Sequence, residues 1–199
     1  MTVRLAVLLS GGGRTLQNLV DHIADGRLDA RIEVVVASNP RAGGVEKARA
    51  AGLECVVVDR RKYADDTAFS NAVTEVIDAH DFDFVALAGL TRKYLFPPRY
   101  NGRVLNIHPG LLPRYGGLGM YGHHVHEAVL AAGETESGCT VHIADLEYDH
   151  GPTVLQKRVP VLPGDTPETL AERVFEAECE AYPEAIALLG ERLLAARTD

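Results

Sequence analysis

The segment Val3–Leu16, VRLAVLLSGGGRTL, decides the fold class of this 199-residue chain. Its first seven residues form the apolar run that is typical of a strand. Three glycines follow, and a segment with helical character, Arg14–Asp25, begins directly after them. A strand that leads through a short turn into a helix is the first half of a βαβ unit.

The same alternation continues along the chain up to His108. The further predicted elements are a strand at 32–37, a helix at 45–51, a strand at 55–59, a helix at 65–79, and strands at 84–88 and 103–107. Strands that alternate with helices predict parallel pairing, because a parallel partner needs a long crossover connection. We therefore predict an α/β, Rossmann-like fold with a largely parallel central sheet and helices on both faces.

The pattern changes after Pro109. A glycine-rich loop at 113–122 precedes a helix at 124–132, and an acidic stretch at 145–152 joins two strands predicted at 139–143 and 154–161. The last helix has a clear start, with Thr166 as N-cap and Pro167 in its first turn. Since the chain shows no repeat, low-complexity tract or linker, we predict one domain over residues 1–199.

Composition limits the possible classes of function. Hydrophobic residues make up 46% and charged residues 24% of the chain, which is ordinary for a soluble globular protein. No apolar run reaches the roughly 20 residues that a membrane helix needs, and because the first strand starts at Val3 we expect no signal peptide. A net charge of −8 argues against a nucleic-acid surface, and an anionic small-molecule substrate would need a local positive site.

The three cysteines, Cys55, Cys139 and Cys179, are odd in number and widely spaced. They do not form a disulfide framework, so we expect a reducing, cytoplasmic environment. Cys139 lies in the middle of a predicted strand and is expected to be a core residue.

The glycine loop, Ser10–Thr15, joins the first strand to the first helix. Glycines let a ligand approach the backbone, and a helix N-terminus offers free N–H groups with a partial positive charge. This chemistry favours a phosphate, to which Arg14 adds a cation. The loop does not match the dinucleotide pattern, because Leu16 stands where the last glycine should be. A tight turn without a ligand is the alternative.

A second group of polar residues lies at the end of the strand predicted at 103–107. Asn106 and His108 are two residues apart and therefore point to the same face, before Pro109 and Gly110 end the strand. The carboxyl ends of strands are where ligands bind in open α/β sheets.

These residue types suit acyl transfer to an amine through a tetrahedral intermediate. The amide of Asn106 can donate to an oxyanion, and His108 can carry a proton near neutral pH. A carboxylate such as Asp149 would hold the imidazole tautomer and favour its charged form. No serine or cysteine nucleophile accompanies them. A purely structural hydrogen-bonding pair, with Asp149 as a turn residue, is the alternative.

Three further histidines, His123, His124 and His126, invite a metal-binding interpretation. Their spacing is not that of a helical zinc site, and no cysteine or acid completes a known signature. We therefore predict no metal and expect a solvent-facing helix start.

Five motifs together resemble the folate-dependent formyltransferases, and the resemblance covers nearly the whole chain. They are Ser10–Gly13, Leu87–Gly89 with Arg92, Asn106–Pro113, Gly138–His142 and Asp149–Pro152. The resemblance implies transfer of a formyl group from 10-formyltetrahydrofolate to the amine of glycinamide ribonucleotide, in purine biosynthesis. It further implies the formyltransferase fold, with a phosphate-binding half at 1–100 and a catalytic and folate-binding half at 101–199, and a possible homodimer.

The resemblance also implies roles for individual residues. Asn106 and His108 would stabilise the oxyanion, while Asp149 would raise the pKa of His108 and assist proton transfer. The residues implied to bind the acceptor substrate are Gly11, Gly12, Gly13, Arg14, Thr15, Pro109 and Glu178. The residues implied to bind the folate are Thr91, Arg92, Lys93, Tyr94, Asn106, Ala144, Asp145 and Asp149. The Leu112–Pro113 bond is expected to be cis, and Lys93-Tyr94 departs from a pair that is usually apolar in the family.

Three other functions stay open. Hydrolysis of formyltetrahydrofolate would use the same Asn, His and Asp residues. Formyl transfer to a different amine would use the same core. A catalytically inactive mononucleotide-binding module would need only the glycine loop.

Overall fold

A computed structural model describes residues 2–198 of the chain. In chain order the elements are β1 (Val3–Leu9), α1 (Arg14–Ala24), β2 (Ala30–Ala37), α2 (Gly43–Ala50), β3 (Cys55–Val57), α3 (Asp66–Asp78), β4 (Phe84–Leu87), β5 (Val104–His108), α4 (His123–Ala131), β6 (Glu136–Ile143), β7 (Thr153–Pro160) and α5 (Pro167–Thr198). Short 3₁₀ helices lie at Arg60–Lys62 and Pro98–Tyr100. Every strand and helix expected from the sequence is present.

The strands form one seven-stranded sheet in the order β3-β2-β1-β4-β5-β6-β7. β1 pairs in parallel with both β2 and β4, and β2 pairs in parallel with β3. β6 and β7 form an antiparallel pair. The predicted α/β class with a mostly parallel sheet is therefore confirmed.

Element ends differ from the prediction by a few residues, with identifiable causes. β3 ends at Val57, before the predicted Asp59, because the Asp59 side chain accepts a hydrogen bond from the Arg61 N–H and caps a 3₁₀ helix. The start of α5 is as predicted: the Thr169 N–H donates to Thr166 Oγ1 over 3.3 Å, which is an N-cap bond.

The chain divides into two compact units. The first comprises residues 2–105 with 186–198, and the second comprises 106–185. The boundary between the two units falls within β5. The functional halves at 1–100 and 101–199 stay a prediction. The assignment of a single domain stays a prediction.

The core of the first unit is built on β1. Leu5, Val7 and Leu9 have no exposed surface, as expected for a strand with hydrogen-bonded neighbours on both sides. α3 contributes Phe69, Val73 and Ile77, spaced by four residues so that they share one face of the helix.

The second unit carries α4, the β6–β7 hairpin and the first part of α5. Its buried residues include Val125 and Val129 of α4 and Cys139 and Val141 of β6. Cys139 is thus the core residue that the sequence predicted, and all three cysteines are free thiols. Within residues 2–198, no helix is both long and apolar enough to cross a membrane.

The glycine loop is held in place by backbone contact with the start of α2. Gly13 is buried and caps α1 with a φ of 71°, a left-handed conformation that favours glycine. A Cβ at Gly13 would lie 2.5 Å from the Gly44 Cα, and the Gly44 N–H donates to the Gly11 carbonyl over 3.1 Å. Glycine is therefore needed at position 13 so that the two segments can touch.

A second interaction fixes the start of the loop. Ser10 Oγ donates to the Gly89 carbonyl over 2.7 Å and accepts from the Thr91 N–H over 3.0 Å. These hydrogen bonds join two of the sequence motifs, the glycine loop and the Leu87–Gly89 motif at the end of β4.

We expect Gly13→Ala to lower the free energy of unfolding by about 2–3 kcal/mol, because the new Cβ meets backbone and the positive φ becomes strained. Gly11→Ala is the matched control, since no atom lies within 4 Å of its added Cβ. That variant should stay within about 0.5 kcal/mol of the parent. Urea unfolding monitored by circular dichroism makes the comparison, and equal losses in both variants would show that the close approach of Gly13 to Gly44 does not require glycine.

Candidate active site

The end of β5 brings together the three residues that the sequence selected for chemistry. Asn106 Nδ2 lies 3.4 Å from Asp149 Oδ1, and His108 Nδ1 lies 3.4 Å from Asp149 Oδ2. Asn106 and His108 reach the same carboxylate because alternate residues of a strand share a face. The structure thus places Asp149 beside His108, which the sequence could not establish.

The hydrogen bonds of His108 define its tautomer. Nε2 lies 2.7 Å from the Tyr115 carbonyl oxygen, which can only accept, so Nε2 carries the proton. In the neutral ring, Nδ1 then presents a lone pair towards Asp149. A proton that arrives at Nδ1 is met by the carboxylate, which stabilises the imidazolium.

The pKa of His108 lies below its ordinary value, because its burial penalises the charged form more than its neighbours favour it. Asp149 and the Tyr115 carbonyl act in the opposite direction and raise this pKa, while His142 lowers it. The effect of Asp149 therefore has the expected sign, and burial outweighs it. His108 is consequently neutral at pH 7 and able to accept a proton.

Asp149 is held in place by its own backbone and by glycines. Its φ of 55° lies in the left-handed region, which aspartate tolerates better than most residues. The Gly117 N–H donates to Asp149 Oδ2 over 3.0 Å. A Cβ at Gly151 would lie 1.8 Å from the Ile143 carbonyl oxygen, so only glycine lets the loop return to the end of β6.

The pKa of Asp149 is lowered despite its burial, which by itself would raise it. The side chain of His142, the charge of His108 and the Gly117 N–H together outweigh burial. Asp149 is therefore a carboxylate at neutral pH, and its negative charge is available to His108.

His142 is a member of the group that was not assigned a role from the sequence. Its Nδ1 lies 3.3 Å from the Ile143 carbonyl and so carries the proton, which leaves Nε2 to accept from Asn106 Nδ2 over 3.1 Å. His142 Nε2 also lies 3.7 Å from Asp149 Oδ1. Both amide protons of Asn106 are thereby directed at His142 and Asp149. The available signal was the period of two that places Thr140 and His142 on one face of β6.

The loop after β5 is fastened to the β6–β7 hairpin by two other residues that the sequence did not single out. Thr140 Oγ1 donates to the Gly110 carbonyl over 2.7 Å and accepts from the Leu112 N–H over 3.1 Å. Gln156 Nε2 donates to the Leu112 carbonyl over 2.8 Å. The Leu112–Pro113 bond is cis, as expected.

The residues selected for the acceptor substrate have different environments. Gly11, Gly12 and Arg14 are exposed, Thr15 is half-buried and Gly13 is buried. Pro109 and Glu178 are half-buried in the second unit, where Glu178 raises the pKa of Cys139 after the larger effect of burial. The binding roles of all these residues stay predictions.

The residues selected for the folate fall into two segments. Thr91 and Arg92 are exposed and Lys93 is half-buried, but the ring of Tyr94 is buried and its hydroxyl lies 2.8 Å from Thr74 Oγ1. The side chain of Tyr94 therefore belongs to the core of the first unit, which leaves only its backbone for a ligand.

In the other segment, Ala144 is half-buried, and Asp145 accepts from the Glu147 N–H and contacts His150 Nδ1. The same loop exposes 49% of Leu146 and 43% of Tyr148. Exposed apolar side chains beside a buried polar group are typical of a surface that receives an aromatic or apolar ligand.

The three histidines of α4 separate into two kinds. His123 and His124 are exposed, as expected for a helix start, whereas the expectation is wrong for His126, which is 3% exposed. Burial, with smaller effects of His123 and His108, lowers the pKa of His126 to about 4. Within residues 2–198, no group of three or more His, Cys, Asp or Glu side chains could hold a metal ion.

The arrangement combines an amide donor, a neutral imidazole and a carboxylate within hydrogen-bonding range. Such a group can stabilise a developing oxyanion and carry a proton without a covalent intermediate.

The sequence of the chain is similar to the sequences of known proteins. The family model described as "Formyl transferase" matches residues 3–186. The trifunctional purine biosynthetic protein adenosine-3 of Drosophila pseudoobscura pseudoobscura is 40% identical over 195 residues, which are 96% of this chain but 14% of that protein. The chloroplastic phosphoribosylglycinamide formyltransferase of Arabidopsis thaliana is 36% identical and is covered to 68%, with 98% of this chain aligned.

A solved structure agrees with the sequence matches. The crystal structure of glycinamide ribonucleotide transformylase 1 from Symbiobacterium toebii superimposes with a TM-score of 0.88 at 40% identity, over 96% of this chain and 88% of that one. The family match at residues 3–186 includes β5, the β6–β7 hairpin and the loop that carries Asp149. The chain belongs to the formyl transferase family.

Proposed function

We propose that the chain transfers the formyl group of 10-formyltetrahydrofolate to the amine of glycinamide ribonucleotide, a step of de novo purine biosynthesis. The observation that carries the proposal is the grouping of Asn106, His108 and Asp149 at the end of β5 in a member of the formyl transferase family. The relatives include phosphoribosylglycinamide formyltransferases, which supports glycinamide ribonucleotide as the acceptor.

The chemistry begins with attack of the amine on the formyl carbon. Electrons of the C=O bond move to oxygen, and the resulting oxyanion needs a donor. We assign this role to one N–H of Asn106, which would give up its hydrogen bond to His142 or Asp149 and donate to the oxyanion instead. The hydrogen bond to Asp149 is long, at 3.4 Å, so breaking it costs little free energy.

Proton transfer is assigned to His108. Its Nδ1 lone pair accepts the proton that the amine loses, and the positive charge that forms is stabilised by Asp149 at 3.4 Å. The proton is then delivered to the departing nitrogen of the folate as the C–N bond breaks. The lowered pKa of His108 makes the imidazolium a ready donor in this second half of the reaction.

Substrate binding is assigned to the segments selected from the sequence. The phosphate of the ribonucleotide is proposed to bind the N-terminus of α1, where Gly11, Gly12 and Thr15 offer backbone N–H groups and Arg14 a cation. The loop with exposed Leu146 and Tyr148 is proposed to contact the folate. A folate-binding role is proposed separately for Thr91 and Arg92 of the first unit. Glu178 is proposed to contact the amine of the acceptor.

Hydrolysis of formyltetrahydrofolate is the second candidate, since the same three residues could activate water. An assay with purified protein, 10-formyltetrahydrofolate and glycinamide ribonucleotide separates the two functions. Formation of the formylated ribonucleotide supports the proposal. Release of free formate that does not depend on the ribonucleotide would establish the hydrolase instead.

We predict that Asn106→Ala and His108→Ala each lower kcat by at least about 100-fold, because each removes a group that acts only on the transition state. Circular dichroism should show that both variants remain folded. Asn101→Ala and His124→Ala, which alter exposed residues of the same types, are the controls and should retain normal turnover. Near-normal kcat in either active-site variant would disprove its assigned role.

A separate prediction concerns the glycine loop. Arg14→Ala should raise KM for the ribonucleotide about 10-fold, the loss expected for one ionic contact with a phosphate, and change KM for the folate less than about twofold. Arg27→Ala, which removes an exposed arginine beyond the other end of α1, is the control. If both KM values rise equally in Arg14→Ala, the phosphate does not bind beside Arg14.

A further inference from the structure

Tyr115 joins the proposed catalytic histidine to a charged group outside the site. Its carbonyl oxygen accepts the hydrogen bond from His108 Nε2 at 2.7 Å. The residue has a φ of 56°, a left-handed conformation that a tyrosine rarely adopts. A strained backbone that points a carbonyl at a catalytic residue needs an anchor elsewhere.

That anchor is Glu134, in the connection between α4 and β6. The Tyr115 hydroxyl donates to Glu134 Oε1 over 2.8 Å, and Arg114 Nη2 contacts the same oxygen. The Arg114 guanidinium lies over the Tyr115 ring at 5.2 Å from its centroid. The Glu134 side chain is 23% exposed, so water competes with these contacts only in part.

The hydrogen bond to Tyr115 decides a competition between two acceptors. The neutral ring of His108 has one N–H, and an acceptor faces each nitrogen: the Tyr115 carbonyl at Nε2 and Asp149 at Nδ1. A carboxylate is the stronger acceptor in general, so Asp149 alone would draw the proton to Nδ1. The contact with Tyr115 is shorter, 2.7 Å against 3.4 Å, and keeps the proton on Nε2.

We propose that Glu134, acting through the side chain of Tyr115, is a positioning residue that fixes the Nε2–H tautomer of His108. This inference rests on the proposed function, in which the unprotonated Nδ1 takes the proton of the attacking amine. If the anchor is lost, the backbone of Tyr115 is free to leave the left-handed region and its carbonyl moves off Nε2. The proton then shifts to Nδ1, where it blocks the lone pair that the reaction uses.

The test is heteronuclear NMR of the histidine ring nitrogens at about pH 8, where His108 is neutral. The parent protein should show the Nε2–H form of His108. Tyr115→Phe removes only the hydroxyl and Glu134→Ala removes its acceptor, so both should give a mixture of tautomers or the Nδ1–H form. Glu134→Gln keeps an oxygen acceptor and should restore the parent spectrum. Glu136→Gln, at an exposed glutamate paired with Arg158, is the matched control and should change nothing.

Kinetics add a second readout. Tyr115→Phe and Glu134→Ala should each lower kcat about 10-fold with KM changed less than twofold, and the double variant should lose no more than either single one, because both break the same link. Unchanged His108 tautomers in Tyr115→Phe and Glu134→Ala would overturn the proposal, even if activity fell. If the parent protein does not formylate the ribonucleotide, the proposed function fails, and the tautomer spectra still decide whether Glu134 positions His108.

Discussion

Asp149 carries a carboxylate, with only 11% of its side chain exposed, into contact with two histidines and an asparagine, and a buried charge of this kind must be compensated. Compensation comes from two donors that face its oxygens, the Gly117 N–H and the side-chain amide of Asn106. These contacts keep Asp149 ionised. The ionised carboxylate in turn stabilises the imidazolium that forms when a proton binds to His108 Nδ1. The proposed chemistry depends on this stabilisation of the His108 imidazolium by the Asp149 carboxylate.

Several unusual backbone features position groups on both sides of the His108 ring. Tyr115 and Asp149 are the two non-glycine residues within 2–198 with positive φ, and each directs a group of its own towards His108. Gly151 could not carry a side chain, since an added Cβ would lie 1.8 Å from the Ile143 carbonyl oxygen. At Gly116 an added Cβ would lie 2.4 Å from Leu112 Cδ2, so the Leu112 side chain would have to move. Strain and close packing at one location indicate that the local sequence serves the site as well as stability.

Features with a short-range signal could be predicted from the sequence. Strand and helix alternation predicted the α/β fold, and the period of two in β5 placed Asn106 and His108 on one face. Contacts distant in sequence could not be predicted: Asp149 lies 43 residues beyond Asn106, and its approach depends on how the loop after β6 closes. His142 lies in a motif that the sequence analysis quoted, but its contacts with Asn106 and Asp149 join β6 to residues 36 and 7 positions away and depend on the packed structure.

The net direction of the pKa of His108 could not be predicted for a related reason. Proximity of Asp149 suggests a raised pKa, but the extent of burial is a property of the packed structure and outweighs the carboxylate. The same holds for the side chain of Tyr94, whose hydroxyl lies 2.8 Å from Thr74 Oγ1 in the core, a contact that its position in the chain could not reveal. In both residues the environment, which is set by packing, decides the outcome.

The most direct test of the central claim is an NMR pH titration of His108 in the parent protein and in Asp149→Asn. In the parent, the pKa should lie below the ordinary value for histidine, because burial dominates. Removal of the negative charge takes away what favours the imidazolium, so the pKa in Asp149→Asn should fall further. An unchanged or higher pKa in that variant would show that Asp149 does not stabilise the protonated form of His108, which would contradict the proposed role of Asp149 in proton transfer.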